Sequence, residues 1–249
     1  MAPEVAAAFD DLVAMRPAGV GEELLADAAV VAFAEQFGVD VSVIDDDLRA
    51  AFTAATGPAL FAVVQVVYVA DVAPRLRSAL DALFGGSAWA EPRVQVTGDS
   101  WSVVDGFMKA VARLRNLDAT TTELVRLRGA RQHECRVCKS RRSVAAIDQG
   151  AGDATFAAVD DYAGSDLPDR VQAALALTDA MIWTPSAIAP DVVDGVHAHL
   201  SPAEAVEVVL DVIRNAANKI AVSLAADAAE VTEGVQLFET DADGNLTVV

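Results

Sequence analysis

Two cysteines lie three residues apart at Cys135 and Cys138, and they are the only two in the chain of 249 residues. On a helix this spacing places both side chains on one face, at a separation that a disulfide can bridge. Such a pair can cycle between dithiol and disulfide. In a reducing compartment a lone C-x-x-C is more often catalytic or metal-binding than structural. The pair therefore predicts thiol chemistry.

The segment around the thiols is basic, although the chain as a whole is acidic. Residues 121–143 hold seven of the 18 Lys and Arg residues, while the formal net charge is −19. The polar run Gln132-His133-Glu134 predicts a helix end, so that Cys135 begins the next helix. The positive end of a helix dipole and neighbouring cations both lower a thiol pKa. The pattern thus predicts that the basic segment makes thiolate available at neutral pH.

The frame "ELVRLRGARQHECRVCKSRR" places Glu123 twelve residues before Cys135. Together with the downstream segment "RVQAALALTDAM…HLSPAEAVEVVLDVIRNAANKIAVSL", it resembles the carboxymuconolactone decarboxylase and alkylhydroperoxidase D superfamily over roughly residues 104–228. The resemblance implies an all-α alkylhydroperoxidase D-like fold and assembly into trimers or hexamers. It also implies reduction of peroxides or disulfides, with no bound organic cofactor.

The resemblance further implies roles for particular residues. In members with the thiol pair, a Glu and a His after the motif relay a proton from the cysteine nearer that His. Here Glu123 matches the Glu, but Arg142 holds the His position and cannot take up a proton at neutral pH. We expect Arg142 to pair with Glu123 and to lower the thiol pKa. His133 is a candidate replacement base, although an exposed histidine at a helix end is the simpler interpretation.

Two arguments disagree on which thiol attacks first. Position at a helix start favours Cys135, whereas the resemblance favours Cys138. The predicted function is a thiol-dependent oxidoreductase that reduces a peroxide or a protein disulfide, with electrons from a thiol donor or a partner redox protein.

Three alternatives remain open on sequence alone. The cysteines could be small buried side chains on one helix turn. They could bind zinc together with His197 and His199, although histidines two residues apart on a helix point in different directions. Finally, the arginines could hold a carboxylate or phosphate in an anion-binding enzyme or a non-catalytic assembly protein.

Apolar residues recur at helical spacing through most of the chain. The predicted helices cover 22–37, 45–56, 58–70, 104–114, 122–132, 136–147, 169–182, 190–199 and 202–227. Start signals stand at Asp45, at Asp118 or Thr121, and at Ser201. In the tail "VQLFETDADGNLTVV", two alternating runs flank Asp-Gly-Asn, which predicts a β-hairpin. A calcium loop there would lack its Glu at the twelfth position. The predicted class is all-α with a short C-terminal β-hairpin.

An internal repeat relates residues 31–52 to 175–196 at an offset of 144 residues. Asp47 then falls on Asp191, and further along Arg75 falls on Lys219. We expect a partial, degenerate copy of the helical unit at about 24–85. The predicted division is an N-terminal helical region at 1–100 and a domain carrying the thiols at 101–249, with a linker at 86–104.

Composition restricts the setting. Hydrophobic residues make up 53% of the chain, which is enough for a packed core. The net charge of −19 disfavours binding to a phosphate backbone. The longest apolar run, 59–74, is interrupted by Gln65, Asp71 and Pro74, so no membrane-spanning helix is expected. The N-terminus lacks the basic region of a secretory signal. These features predict a soluble cytoplasmic protein.

Overall fold

The computed structural model describes residues 1–86, 89 and 95–249, and these are mostly helical with one small sheet. The predicted helical class is confirmed. Part of the predicted linker at 86–104, namely 87–88 and 90–94, lies outside the described residues. Its last residues already belong to a helix that begins at Ser100.

The helices α1 to α14 are, in chain order, Pro3–Ala14, Glu22–Leu25, Ala28–Val39, Asp46–Thr56, Leu60–Phe84, Ser100–Ala112, Ala119–Gln132, Arg136–Lys139, Val144–Asp148, Asp153–Ala157, Asp169–Trp183, Pro190–His199, Pro202–Asn215 and Asn218–Ser223. The strands β1 to β3 are Arg141–Ser143, Gln236–Thr240 and Leu246–Val248.

The three predicted helix starts are confirmed. The carboxylate of Asp45 accepts the N–H of Leu48 at 2.8 Å. Asp118 caps α7 in the same way, and Ser201 forms a reciprocal capping box with Glu204 on α13. Each helix begins at these residues because a side-chain oxygen satisfies an N–H group that has no partner within the helix.

The predicted continuous helix at 136–147 is wrong. The chain forms the single turn α8, then β1, then α9. Strand β1 pairs in parallel with β2, with Arg141 opposite Gln236 and Ser143 opposite Phe238. The partner strand lies about 95 residues further along the chain, and no local window reveals such a partner. Two other predicted helices are also divided: Asp27 caps a new helix within 22–37, and α13 and α14 share 202–227.

The predicted C-terminal hairpin is confirmed. Strands β2 and β3 are antiparallel, with Phe238 opposite Val248. Asp241 accepts the backbone N–H groups of Asp243 and Asn245, so its carboxylate shapes the turn. With β1 the sheet has the order β1-β2-β3. It therefore fastens the C-terminal tail to the segment that follows the thiols.

Helix α5 extends beyond the predicted end at residue 70 and runs without a break through Asp71 and Pro74. Together with α4 it is long and apolar enough to cross a membrane by length and composition, with a mean hydropathy of 1.7 over an 18-residue window. Core helices of soluble proteins share this property. Eleven residues of α5 are buried against the rest of the protein, which is compatible with a soluble protein. The cytoplasmic location stays a prediction.

One apolar core runs from α1 to α14. The rings of Phe33 and Phe52 stack at 3.8 Å between α3 and α4, and Phe9 of α1 lies 6.1 Å from Phe107 of α6. The hydroxyl of Tyr68 on α5 donates to the Ile213 carbonyl on α13 at 2.9 Å. Core residues stand on both sides of residue 100. The division of the chain at that residue stays a prediction.

A buried ionic cluster joins three helices within this core. Asp71 of α5 accepts from Arg75 at 2.7 Å and from Lys219 of α14 at 2.6 Å. Arg75 also donates to the carbonyls of Met181 and Ile182 at the end of α11. Removing one partner of such a cluster leaves an uncompensated charge in the core. The cluster therefore fixes α14 against α5.

We expect Gly244→Ala to lower the free energy of unfolding by about 1–3 kcal/mol, because a side chain at positive φ is strained. Gly244 has φ +85°, and an added Cβ would lie 2.6 Å from the Lys109 carbonyl of α6. Urea denaturation measures the change. Gly106→Ala, at an exposed helical glycine with open space around it, is the control and should stabilise by about 0.5–1 kcal/mol. Equal stability of the Gly244 variant and the parent would contradict the hairpin packing.

Candidate active site

A sharp turn separates α7 from the thiols. Glu134 adopts φ 54°, an unusual value for a residue other than glycine. The N–H of Cys135 then donates to the Ala130 carbonyl at 2.9 Å, which closes the end of α7. Cys135 becomes the N-cap of α8. The predicted helix start at Cys135 is therefore confirmed.

The helix start was expected to lower the pKa of Cys135, and this prediction is wrong because a carboxylate occupies the start of α8. Asp227 accepts the N–H of Arg136 at 2.8 Å through its side chain and the N–H of Val137 at 3.0 Å through its carbonyl. Cys135 itself is 0% exposed. The hydrogen bond to Cys138, burial and the negative charges of Cys138 and Asp227 raise the pKa of Cys135. The neighbouring charges do not keep this thiol out of the core.

Cys138 is the acidic thiol of the pair. It is partly exposed, and its N–H donates to the sulfur of Cys135 at 3.4 Å. The hydrogen bond from the Cys135 side chain lowers the pKa of Cys138 to about 7, with burial opposing the shift and Arg126 and Asn218 adding to it. Because the thiolate is the nucleophile, the geometry makes Cys138 the more reactive sulfur.

Glu123 is almost fully buried, and Arg126 neutralises it. The guanidinium donates to both carboxylate oxygens, from Nε at 2.6 Å and from Nη2 at 2.7 Å. It also donates to the carbonyls of Cys138 and Arg141 at 2.9 Å each. Its central carbon, Cζ, lies 5.2 Å from the centre of the Phe238 ring on β2. One side chain thus joins α7, the thiol turn, β1 and β2.

Arg142 does not form the expected ion pair with Glu123. It lies on β1, and its Nη1 donates to the carbonyls of Lys139 and Arg141 at 2.7 Å each. Its guanidinium stacks 5.2 Å from the ring of Phe156. The expectation failed because the predicted helix at 136–147 places Arg142 one turn after Cys138, whereas the chain is extended at that point. Arg126 lies one turn after Glu123 on the same helix, so an ion pair between the two was open on sequence alone. The burial of that pair and its contacts with the thiol turn were not predicted.

His133 is buried, 6% exposed, and not at the surface as the simpler interpretation held. Its Nδ1 lies 2.8 Å from Oδ1 of Asn218. Burial, followed by the positive charge of Lys219, lowers the pKa of His133 to about 4. The imidazole is therefore neutral at pH 7 and a weak base. Asn218 in turn hydrogen-bonds Cys138, so the Asn218 amide lies between His133 and the thiol.

The basic segment is largely neutralised by local partners. Six of its seven cations form ion pairs with carboxylates: Arg126 with Glu123, Arg128 with Asp179, Arg131 with Asp160, Arg136 with Asp227, Lys139 with Glu134 and Arg141 with Glu230. Arg142 has no carboxylate partner among the ion pairs of the described residues. Carboxylates of the acidic chain therefore neutralise most of the positive charge of the segment that carries the thiols.

The two cysteines do not meet the histidines of the zinc alternative. His197 Nε2 lies 2.8 Å from the Leu83 carbonyl at the end of α5. Within residues 1–86, 89 and 95–249, no three histidine, cysteine, aspartate or glutamate side chains come together as a metal site. The zinc and calcium alternatives thus have no ligand set in the described structure.

Fold and site together define a mostly helical protein with a buried and a partly exposed thiol beside a neutralised Arg–Glu pair. Over 229 residues, 88% of this chain, the sequence is 45% identical to the uncharacterized protein Rv2313c of Mycobacterium tuberculosis strain H37Rv and to the uncharacterized protein MT2376 of strain CDC 1551. The match covers 80% of each of those proteins. The chain belongs to the same family as these two proteins. No protein-family model matches the chain, and no solved structure matches it.

We expect Arg126→Met to destabilise the protein by about 3–5 kcal/mol, because it leaves the carboxylate of Glu123 buried without a partner. The matched variant Arg142→Met loses hydrogen bonds to two carbonyls and the contact with the Phe156 ring but leaves no carboxylate unpaired, so it should cost about 1–2 kcal/mol. Chemical denaturation measures both changes. Adding Glu123→Gln to Arg126→Met should recover part of the loss. Equal losses for the two arginines would contradict the central position given to Arg126.

Mass-resolved alkylation across pH should show two unlike thiols. Cys138 should react with a midpoint near pH 7, while buried Cys135 remains unmodified through pH 8. Asn218→Leu removes a hydrogen bond to the Cys138 sulfur and should raise that midpoint. Asn215→Leu makes the same replacement one turn earlier and should leave the midpoint unchanged. Faster reaction of Cys135 would reverse the assignment.

Proposed function

We propose that the protein is a thiol-dependent oxidoreductase in which Cys138 attacks an oxidised substrate and Cys135 resolves the intermediate. The observation that carries the proposal is the asymmetry of the pair. Cys138 is partly exposed with a lowered pKa, whereas Cys135 is buried, has a raised pKa and hydrogen-bonds to Cys138. This asymmetry supports the order of attack implied by the resemblance over the order implied by helix position.

For a disulfide substrate the steps balance as follows. The Cys138 thiolate attacks one sulfur, which forms a mixed disulfide and releases the other sulfur as thiolate. Cys135 loses its proton and attacks the Cys138 sulfur, which forms the Cys135–Cys138 disulfide and releases the second thiolate. Two electrons pass from the protein to the substrate. A thiol donor or a partner redox protein then reduces the internal disulfide.

The surroundings of Cys138 favour disulfides over peroxides as substrates. Attack on a peroxide releases an alkoxide or a hydroxide, which must gain a proton during the step. Attack on a disulfide releases a thiolate, which needs no proton. Arg142 cannot exchange a proton at neutral pH, and His133 is a weak base. Both oxygens of Glu123 are held by Arg126. None of the three residues therefore supports a proton relay, and the contacts of Glu123 with Arg126 and of His133 with Asn218 serve to position the groups that lower the pKa of Cys138.

The ion pairs of the basic segment also bear on the choice of function. An anion-binding site needs free guanidinium groups, but six of the seven cations already hold carboxylates. Reactive thiols need only a lowered pKa. This distribution of charge supports the thiol chemistry and gives no specific support to the anion-binding alternative.

We further propose that the chain has an alkylhydroperoxidase D-like fold built by duplication. Helices α3 and α11 end at Val39 and Trp183, and α4 and α12 begin at Asp46 and Pro190. Both pairs of boundaries share the offset of 144 residues. The repeat also relates Arg75 to Lys219, and both of these residues bind Asp71. The resemblance implies a trimer or hexamer, which light scattering checks.

We expect the reduced protein to convert glutathione disulfide to glutathione, with little reduction of tert-butyl hydroperoxide. Cys138→Ser should abolish the reaction. Cys135→Ser should stop it at a mixed disulfide between Cys138 and glutathione, because the resolving thiol is gone. Mass spectrometry of the quenched protein detects that adduct.

Arg142→Gln is the matched control for Arg126→Gln in this assay. Both changes remove one guanidinium near the pair, but only Arg126 lowers the pKa of Cys138. The Arg126 variant should react about tenfold more slowly at pH 7, because less thiolate is present. The proposal fails if the Cys135→Ser, Cys138→Ser double variant keeps the activity, or if Cys135 alone forms the adduct.

A further inference from the structure

A groove with mostly apolar walls lies against α14. This groove lies between the start of α5, the start of α6 and α14, and its volume is about 690 Å³. Its walls include Phe61, Ala62, Trp101, Ile220, Ala221 and Leu224. Small-molecule sites in proteins are commonly about 300–1,000 Å³ and mostly apolar.

Two aromatic side chains at this groove are exposed although they are large and apolar. Phe61 is 67% exposed and Trp101 is 48% exposed. A mostly apolar ligand between them would remove both rings from water, which is favourable in proportion to the area covered. The groove is therefore shaped and lined for an apolar ligand.

Gln65 supplies one polar group in the groove wall. The residue is 3% exposed, and its Oε1 has no hydrogen-bond partner. A buried acceptor without a partner is costly. Rotation about the last torsion of a glutamine is soft, so the amide can turn to meet a donor in the groove. An N–H or O–H group on a ligand would satisfy it.

Charge restricts the ligand further. Asp99 lines the groove and is fully occupied as the cap of α6, where it accepts from the N–H groups of Trp101 and Ser102. The chain carries a net charge of −19. An anionic ligand would meet repulsion from both sources.

From this geometry we infer that the groove between α5, α6 and α14 binds a neutral, mostly apolar small molecule that carries one hydrogen-bond donor for Gln65. The site is separate from the thiols and does not depend on the proposed function. Residues Ala217, Ile220 and Ala221 face the groove, while Asn218 of the same helix contacts His133.

The test compares two fluorescent probes of similar shape. N-phenyl-1-naphthylamine is neutral and carries one N–H donor, whereas 1-phenylnaphthalene carries none. We expect saturable binding of both to the full chain, with the amine bound roughly five- to tenfold more tightly, the size of one net hydrogen bond. Gln65→Leu should remove that preference and keep the binding of 1-phenylnaphthalene.

Matched tryptophan variants locate the site. Ala221→Trp fills the groove and should abolish binding, whereas Ala54→Trp, on the exposed surface of α4, should leave it unchanged. The inference is overturned if the parent protein shows no saturable binding, if Ala221→Trp binds normally, or if Gln65→Leu keeps the preference for the amine.

A second copy of the chain could also occupy this groove. Light scattering tests for that alternative, because it measures the mass of an assembly. If Ala221→Trp reduces the mass of an assembly that Ala54→Trp preserves, the groove is a subunit contact and the inference is wrong. The Cys135→Ser, Cys138→Ser double variant should bind both probes as the parent does. Failure of the thiol chemistry and failure of the groove are therefore distinguishable.

Discussion

The ion pair between Arg126 and Glu123 is the interaction on which the candidate site depends. Both groups lie largely out of water, with side-chain exposures of 14% and 1%. Burying the two charges is favourable only if the geometry is good and the remaining donors are satisfied. The guanidinium meets this condition through both oxygens of Glu123, two backbone carbonyls and the Phe238 ring. The same contacts hold α7, the thiol turn and the sheet in one arrangement.

This arrangement explains how one C-x-x-C holds two unlike thiols. Asp227 takes the N–H groups of Arg136 and Val137 at the start of α8, so the sulfur of Cys135 receives only the N–H of Cys138 and is buried as well. Cys138 receives hydrogen bonds from Cys135 and Asn218, and lies close enough to Arg126 to feel its charge. The asymmetry therefore arises from competition for donors, and the count of nearby cations does not determine it.

The basic segment of an acidic chain also has a structural explanation. Its cations pair with carboxylates from α7, α11, the turn after α10 and the segment that precedes β2. Exposed ion pairs contribute little each, but these pairs link elements that are distant in sequence. The segment thus acts as a junction between α7, the thiol turn and the C-terminal tail. The Asp71 cluster has a similar function between α5, α11 and α14.

The sequence by itself determined the features that depend on neighbouring residues. Helical periodicity, the caps at Asp45, Asp118 and Ser201, the hairpin turn, and the start of α8 at Cys135 were all predictable because each depends on a few adjacent side chains. Tertiary structure alone decided the rest. The pairing of β1 with β2 made residues 141–143 extended and removed Arg142 from the face of Cys138. Other long-range contacts place Asp227 and Asn218 beside the thiols. Those partners lie 80 or more residues away along the chain. Local periodicity carries no information on such contacts. Long-range pairing and desolvation decide which thiol has the lower pKa, and the spacing of the two cysteines does not.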